Sequence, residues 1–162
     1  MILAICGPGR SGKDTTSEWF KNNTTLRYTG STSEAAAKLC YEKLKDTYSY
    51  TSVEEAFAER HDHRVEWANI IWNYNKPYGT TLYEDMLKGS DILNGIRRSG
   101  EIKALQQHLL VDLTLWIDRD VPADLSCEMT AEDADIIIPN RGSIAELYQR
   151  LTRFARAAKL LR

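Results

Sequence analysis

The chain has 162 residues and a mass of 18.5 kDa, with 43% apolar and 27% charged residues and a formal net charge of −2. A chain of this size and apolar content forms one domain with a core of its own, which excludes disorder. No apolar run approaches the ~20 residues of a membrane span, and the apolar start from Met1 to Cys6 is too short for a secretory signal, so no membrane partner is expected. The three cysteines, Cys6, Cys40 and Cys127, show no paired or zinc spacing. Free thiols point to a reducing, cytoplasmic setting. The charge is uneven: Met1 to Asn140 carries 15 basic and 22 acidic residues, whereas Arg141 to Arg162 carries six basic and one acidic.

In chain order, Ile2 to Cys6 reads as a strand buried on both faces. Gly7 to Gly12 is a glycine-rich loop, and Lys13 to Asn22 reads as a helix. Leu26 to Thr29 reads as a second strand. Ser31 and Glu34 have capping-box spacing before a helix through Ala35 to Lys45. Ser52 and Glu55 repeat that spacing before helix formers that run to Arg60. A helix from Val65 to Trp72 ends before Pro77, and Thr80 or Thr81 opens another through Lys88. Strands return at Asp91–Asn94, Val111–Ile117 and Ala134–Ile138, with helices over Glu101–Leu110 and Ser143–Leu161. Strands alternating with helices imply an α/β fold: five strands, mostly parallel, in a three-layer arrangement with helices on both faces.

Gly7-Pro8-Gly9-Arg10-Ser11-Gly12-Lys13 matches G-x-x-x-x-G-K, placed between a predicted strand and a predicted helix as that motif requires. Backbone N–H groups of such a loop and the N-terminus of the following helix cradle phosphate oxygens. Lys13 then reaches the β- and γ-phosphates of a nucleotide. The residue after the lysine is ordinarily Ser or Thr; here it is Asp14, followed by Thr15. Either is a suitable oxygen ligand for Mg²⁺, although an acidic residue in a first helical turn also suits the helix dipole.

Arg10-Ser11-Gly12-Lys13-Asp14-Thr15 resembles the R-S-G-K-D loop variant of phage deoxynucleoside monophosphate kinases and of animal-type phosphomevalonate kinases. The resemblance implies a P-loop kinase fold over residues 1–162, with an acceptor-binding helical region at about 31–90 and a short lid at about 118–133. It also implies ATP and Mg²⁺ as cofactors. Gly7, Gly9, Arg10, Ser11, Gly12, Lys13, Asp14 and Thr15 then hold the nucleotide and its metal.

Further motifs follow in order. Asp91 to Glu101 reads as strand, tight turn, paired arginines and helix; it resembles the D-G-F-P-R turn of adenylate kinases and the G-x-R-x-x-E turn of the phage kinases. Arg97 and Arg98 at a strand end are suited to gripping phosphates, and Asn94 stands where an Asp usually orients metal-bound water in that comparison. Leu115 to Asp120 delivers Asp118-Arg119-Asp120 to the same sheet edge, with Arg119 the only arginine or lysine between Lys103 and Arg141 and the candidate for a lid arginine. Ala134 to Ser143 resembles a late strand and turn of small-molecule P-loop kinases, where the turn lies near adenine; Asn140 and Arg141 either touch the base, or the turn serves chiefly to let Ser143 cap the last helix.

On the acceptor side, Ser31 and Thr32 offer hydroxyls at a helix start. Arg64 and Trp67 share a helix face at i and i+3, as in an R-x-x-W feature of the phage kinases. Trp67 serves either a base or the core. The expected activity is transfer of the γ-phosphate of ATP to a nucleotide, foremost a deoxynucleoside monophosphate, with Lys13, Arg97, Arg98 and Arg119 catalytic. An alternative acceptor is 5-hydroxymethyluracil in phage DNA, favoured only by the basic stripe Arg150, Arg153, Arg156 and Lys159. Both acceptors would place the activity in the cytoplasm of an infected host. A non-enzymatic nucleotide switch is a third reading; it lacks the N-K-x-D signature of guanine recognition, to which Asn75-Lys76-Pro77-Tyr78 is the nearest approach.

Overall fold

Four apolar residues in succession, Leu3–Cys6, form strand β1, and none of them is exposed. A computed structural model of the chain describes every residue except Pro77. After β1 come helices α1 (Lys13–Asn23), α2 (Thr32–Tyr48), α3 (Val53–Glu59), α4 (Arg64–Asn75) and α5 (Thr81–Leu87). Strand β2 (Ile92–Asn94), helix α6 (Ser99–Gln107), strands β3 (Leu113–Asp118) and β4 (Ile136–Pro139), and helix α7 (Ile144–Ala157) complete the chain. The stop expected for α4 at Pro77 lies outside the described residues, and α4 itself ends at Asn75.

The strands form one all-parallel sheet in the order β2-β1-β3-β4, with Leu3 facing Ile92 on one side and Leu113 on the other. Strand residues alternate between faces. Leu3, Ile5, Leu115 and Ile117 therefore pack on Trp19 and Phe20 of α1 and on Leu147, Leu151 and Ala155 of α7. Ala4, Cys6, Leu93 and Trp116 point the other way, into a larger core built from α2 to α6 with Ala36, Trp67, Tyr83 and Ile102. Burial on both faces is why these strands read as continuous apolar runs rather than as alternating ones.

The expectation of five strands is corrected to four among the described residues. Leu26 to Thr29 is extended and buries Leu26 and Tyr28 against the sheet, but it joins no ladder. The Asp91 amide donates to the Arg27 carbonyl at 2.8 Å, yet the Arg27 amide donates to the Asp91 carboxylate at 2.8 Å instead of to a strand carbonyl. The Arg27 guanidinium grips the same carboxylate. A side chain thus takes the bond that a fifth strand would have made beside β2.

Helix starts follow their caps. Ser31 with Glu34 and Ser143 with Glu146 form complete capping boxes, and Ser52 accepts from the Glu55 amide. The last two helices end earlier than the apolar pattern suggests, at Gln107 and Ala157, whereas α2 and α4 run past their expected ends to Tyr48 and Asn75. Leu109 and Lys159 adopt left-handed backbone, at φ 55° and 57°, just after α6 and α7. Leu161 then bridges to Thr24. Because all strands run the same way, the loops after Cys6, Asn94, Asp118 and Pro139 meet at one sheet edge. There α1, which follows β1, packs on one face of the sheet and α6, which follows β2, on the other, which opens a crevice of the kind ligands occupy in α/β folds.

Candidate phosphate-binding site

The glycine loop leaves β1 and enters α1 directly, so the free N–H groups at the start of α1 face the crevice. Gly12 has φ +100°, and a Cβ there would lie 2.5 Å from the Asn140 amide nitrogen. Only glycine combines that backbone with so close a neighbour. Asn140 is buried and donates to the Ser11 carbonyl at 2.8 Å, while its own amide donates to the Asp118 carbonyl. The turn after β4 therefore clamps the glycine loop from behind. Asn140 Nδ2 thus has a structural role in holding the loop. Arg141 pairs with Asp118 at 2.9 Å on the surface, and Ser143 caps α7. Arg10, at the crest of the loop, is held at φ +66°, a left-handed backbone unusual for a residue with a Cβ.

Lys13 is buried, and its ammonium donates to the Pro8 carbonyl at 2.7 Å, curled back across the loop. Burial, and then the Arg97 charge, lower its pKa to about 8, against the opposing pull of Asp14. Asp14 stands exposed in the first turn of α1. The Asn94 side-chain amide donates to Asp14 Oδ1 at 2.7 Å and to the Tyr28 hydroxyl at 3.0 Å. Asn94 Oδ1 is buried with no partner among the described residues. Burial pushes the Tyr28 hydroxyl up to about 12, so it stays protonated. Thr15 is half-buried beside Asp14, while Thr16 bonds back to the Gly12 carbonyl. Asp14 with its free second oxygen, and Thr15 next to it, suit a hard divalent cation that draws its other ligands from water and phosphate. Among the described residues no three His, Cys, Asp or Glu side chains converge.

The cleft beyond the loop is lined by Lys13, Asp14, Ser31, Arg60, Arg64, Trp67, Asn94 and Arg97, among others. Of the sequence-derived acceptor residues, Ser31, Arg64, Trp67 and Asn94 line it and the buried Thr32 does not, and several of their polar groups are already engaged. The Ser31 hydroxyl accepts from the Glu34 amide, and the Thr32 hydroxyl donates to the Asn94 carbonyl at 2.7 Å. Trp67 belongs to both the core and the cleft wall: it is buried, and its Nε1 has no partner among the described residues.

The two arginines after β2 diverge. Arg97 turns toward the glycine loop, with Nη1 donating to Asp124 at 2.8 Å and to Ser126 at 2.7 Å. Arg98 turns away and bonds Glu128 and the Asn69 side chain of α4. Arg119 is exposed and makes no hydrogen bond or ion pair among the described residues.

Two residues not singled out from the sequence complete the site. Asp124 reaches in from the segment after β3, and its Oδ2 accepts from the Gly9 amide at 2.7 Å and from Arg64 Nη1 at 3.3 Å. Burial alone would raise its carboxyl, but Ser126, Arg97 and the Gly9 amide together hold it well below the usual carboxylate range. Arg60 lies over the Phe57 ring, 3.8 Å from its centroid, and lines the cleft opposite Asp14. Its i,i+4 spacing to Arg64 is a sequence signal for a shared face only in an unbroken helix, and the chain turns between them. His61 Nδ1 accepts from Arg64 Nη2 at 2.8 Å, and His63 stacks on Tyr48. No helix among the described residues is long and apolar enough to cross a membrane. Compared with protein-family models and with curated proteins, the chain matches none.

Proposed function

We propose that the chain is an ATP-dependent phosphotransferase of the P-loop kinase type that phosphorylates a nucleotide, foremost a deoxynucleoside monophosphate. The observation that carries this reading is the pairing of a glycine loop and buried lysine with an adjoining cleft that gathers Arg60, Arg64 and Arg97. One wall suits a donor triphosphate; the other suits a second phosphate brought toward it. In this chemistry, positioning and charge neutralisation supply nearly all of the catalysis.

Lys13 would leave the Pro8 carbonyl for the β- and γ-phosphate oxygens, and Arg97 would neutralise charge on the moving phosphoryl group. A Mg²⁺ ion held by Asp14 and Thr15 would neutralise phosphate charge and orient the donor when bound. Asn94 fixes the Asp14 carboxylate by donating to one oxygen and leaving the other for the metal. Trp67 gives an acceptor base an aromatic wall. Arg98, tied to Glu128 and Asn69, acts by holding the segment after β3 against α4. Arg119 would have to move with that segment to reach a phosphate.

The DNA-acceptor reading draws on the α7 stripe. That helix begins at the sheet edge that carries the cleft and runs away from it, and its end meets Thr24 at the far end of α1. Arg150 is also engaged, donating to the Pro139 carbonyl at 2.7 Å. A free mononucleotide is the acceptor that the cleft itself favours. Incubation with ATP–Mg²⁺ and a panel of deoxynucleoside monophosphates, with hydroxymethylated DNA alongside, tests the assignment. Formation of a diphosphate supports it; ATP binding without transfer to any acceptor contradicts it in favour of a switch.

A further inference from the structure

We infer that the Gly9 amide, Arg64 and Arg97 form a seat for one phosphate oxygen, and that the Asp124 carboxylate is its resting occupant, displaced when a phosphate arrives. The inference rests on the kinase reading only for the identity of the incoming group.

Three donors converge on Asp124 Oδ2: the Gly9 amide at 2.7 Å, Arg97 at 2.8 Å and Arg64 at 3.3 Å. A backbone N–H in a glycine loop and two guanidinium groups are the donors that recognise a phosphate oxygen, and a carboxylate offers them the same acceptor chemistry. Gly9 lets the group come this close, since a Cβ there would run into both Arg64 Nη1 and Asp124 Oδ2. The Asp124 side chain is only 7% exposed, so the ion pairs lie largely out of water. The carboxylate thus sits on the Gly9 amide of the same loop onto whose Pro8 carbonyl the Lys13 ammonium is turned.

Space agrees with this occupancy. The cleft behind the Arg64–Asp124 pair holds about 90 Å³, well below the ~300–1,000 Å³ of small-molecule sites. A second cavity of about 320 Å³, lined by Val65, Pro122, Ala123 and Leu125, lies on the other side of the pair. Gly9, Arg10, His61 and Arg64 line both cavities. Asp124 lines only the larger cavity, so withdrawing it opens that cavity onto the Gly9 amide and the Arg64 guanidinium, whose residues both cavities share. The segment that carries Asp124 has no helix or strand from Arg119 to Thr130, and it is held by contacts that can be released: Asp124, Glu128 on Arg98, and two amides on the Arg97 carbonyl.

The experiment measures tripolyphosphate and ATP binding by calorimetry in the wild type, Asp124→Asn and Asp124→Ala, alongside the rate at which a thiol reagent labels Cys127. That thiol sits in the same segment, 3.9 Å from the Gly7 carbonyl, and is half-buried while Cys6 and Cys40 are fully buried. A seat filled most of the time lowers apparent affinity by the fraction left open. Both variants should therefore bind tripolyphosphate about tenfold more tightly, and both should label Cys127 faster without ligand. Tighter binding with unchanged labelling overturns the inference, because removal of a negative charge alone would give that result. Equal or weaker binding in both variants, with the native circular dichroism spectrum retained, also overturns it. If the variants bind tripolyphosphate more tightly and label faster, but no acceptor is ever phosphorylated, the seat stands and the kinase reading falls. If transfer occurs and the variants bind no more tightly, the kinase reading stands and the seat falls.

Discussion

The donor half of the cleft, Gly7 to Lys13, hangs between a buried strand and a helix and is clamped by Asn140. The half facing it, Arg60 to Arg64 with Pro122 to Ser126, is held chiefly by side chains: Asp124 to Arg64 and Arg97, Arg98 to Glu128 and Asn69. The first half is fixed by backbone conformation and core packing, whose cost of disruption is large. The second is fixed by polar contacts that exchange readily for contacts to a charged ligand. A phosphotransferase needs both kinds: a rigid cradle for the donor, and a wall that opens for each acceptor and closes over it.

Breaking the polar wall at its most central contact should have a large effect. Arg97→Ala removes the guanidinium that faces the glycine loop and also releases Asp124 and Ser126. Its turnover should fall on the order of 100-fold, the scale for loss of one preorganised charge-stabilising group, and steady-state kinetics with ATP in excess would measure it. Asp14→Asn tests the rigid wall without disturbing its fold. Turnover should fall about tenfold or more, as expected for a misplaced metal, while ATP binding changes little; unchanged turnover would remove Asp14 from the metal site.

Asn140→Ala attacks the clamp instead of the chemistry. It leaves the buried Ser11 carbonyl without its donor, which should cost about 1–3 kcal/mol of stability in denaturant unfolding. A smaller change separates the halves by pH. The Asp124 carboxyl is held below its ordinary range in the folded chain, so the unfolded chain takes up that proton first as pH falls. Its stabilising contribution is complete above the ordinary carboxylate pKa of about 4 and is lost as pH drops through that value toward the lower folded one. Asp124→Asn should therefore lower the melting temperature in the neutral region, where that contribution is complete, and flatten the acid limb, so that the two proteins converge as pH falls. Replacing Arg153, Arg156 and Lys159 by Gln should alter mononucleotide turnover by less than about twofold, as for exposed charges far from a site. A large loss confined to DNA substrates would restore the alternative acceptor.

The same contrast explains what could be read from the sequence. Leu3–Cys6, the glycine spacing and Lys13 declare the donor half because strand, turn and helix are set by near neighbours in sequence. Capping at Ser31, Ser52 and Ser143 is legible for the same reason. The fifth strand was misread because Leu26 and Tyr28 are as apolar and buried as a strand requires; the deciding event is the Asp91 side chain, 64 positions away, bonding the Arg27 amide. Asp124 gave no local signal either. Asp118, Asp120 and Glu128 flank it with equal charge, and only the tertiary approach of Gly9, Arg64 and Arg97 distinguishes it. Glu101, at the end of the stretch that carries the paired arginines, is buried and accepts from Asn75 at 2.8 Å, where burial raises its carboxyl pKa. Arg97 and Arg98 look interchangeable as a pair, yet the start of α6 sends one to the loop and the other to α4.

The most direct test of the central claim is transfer of labelled γ-phosphate from ATP–Mg²⁺ to the four deoxynucleoside monophosphates by the wild-type chain and by Lys13→Ala. The account expects a labelled diphosphate from at least one acceptor with the wild type, and a loss of roughly 100- to 1,000-fold in the variant, the scale for one lost charge-stabilising group, with its melting temperature retained. Equal transfer by the two proteins, or no transfer to any acceptor by the wild type, would contradict it.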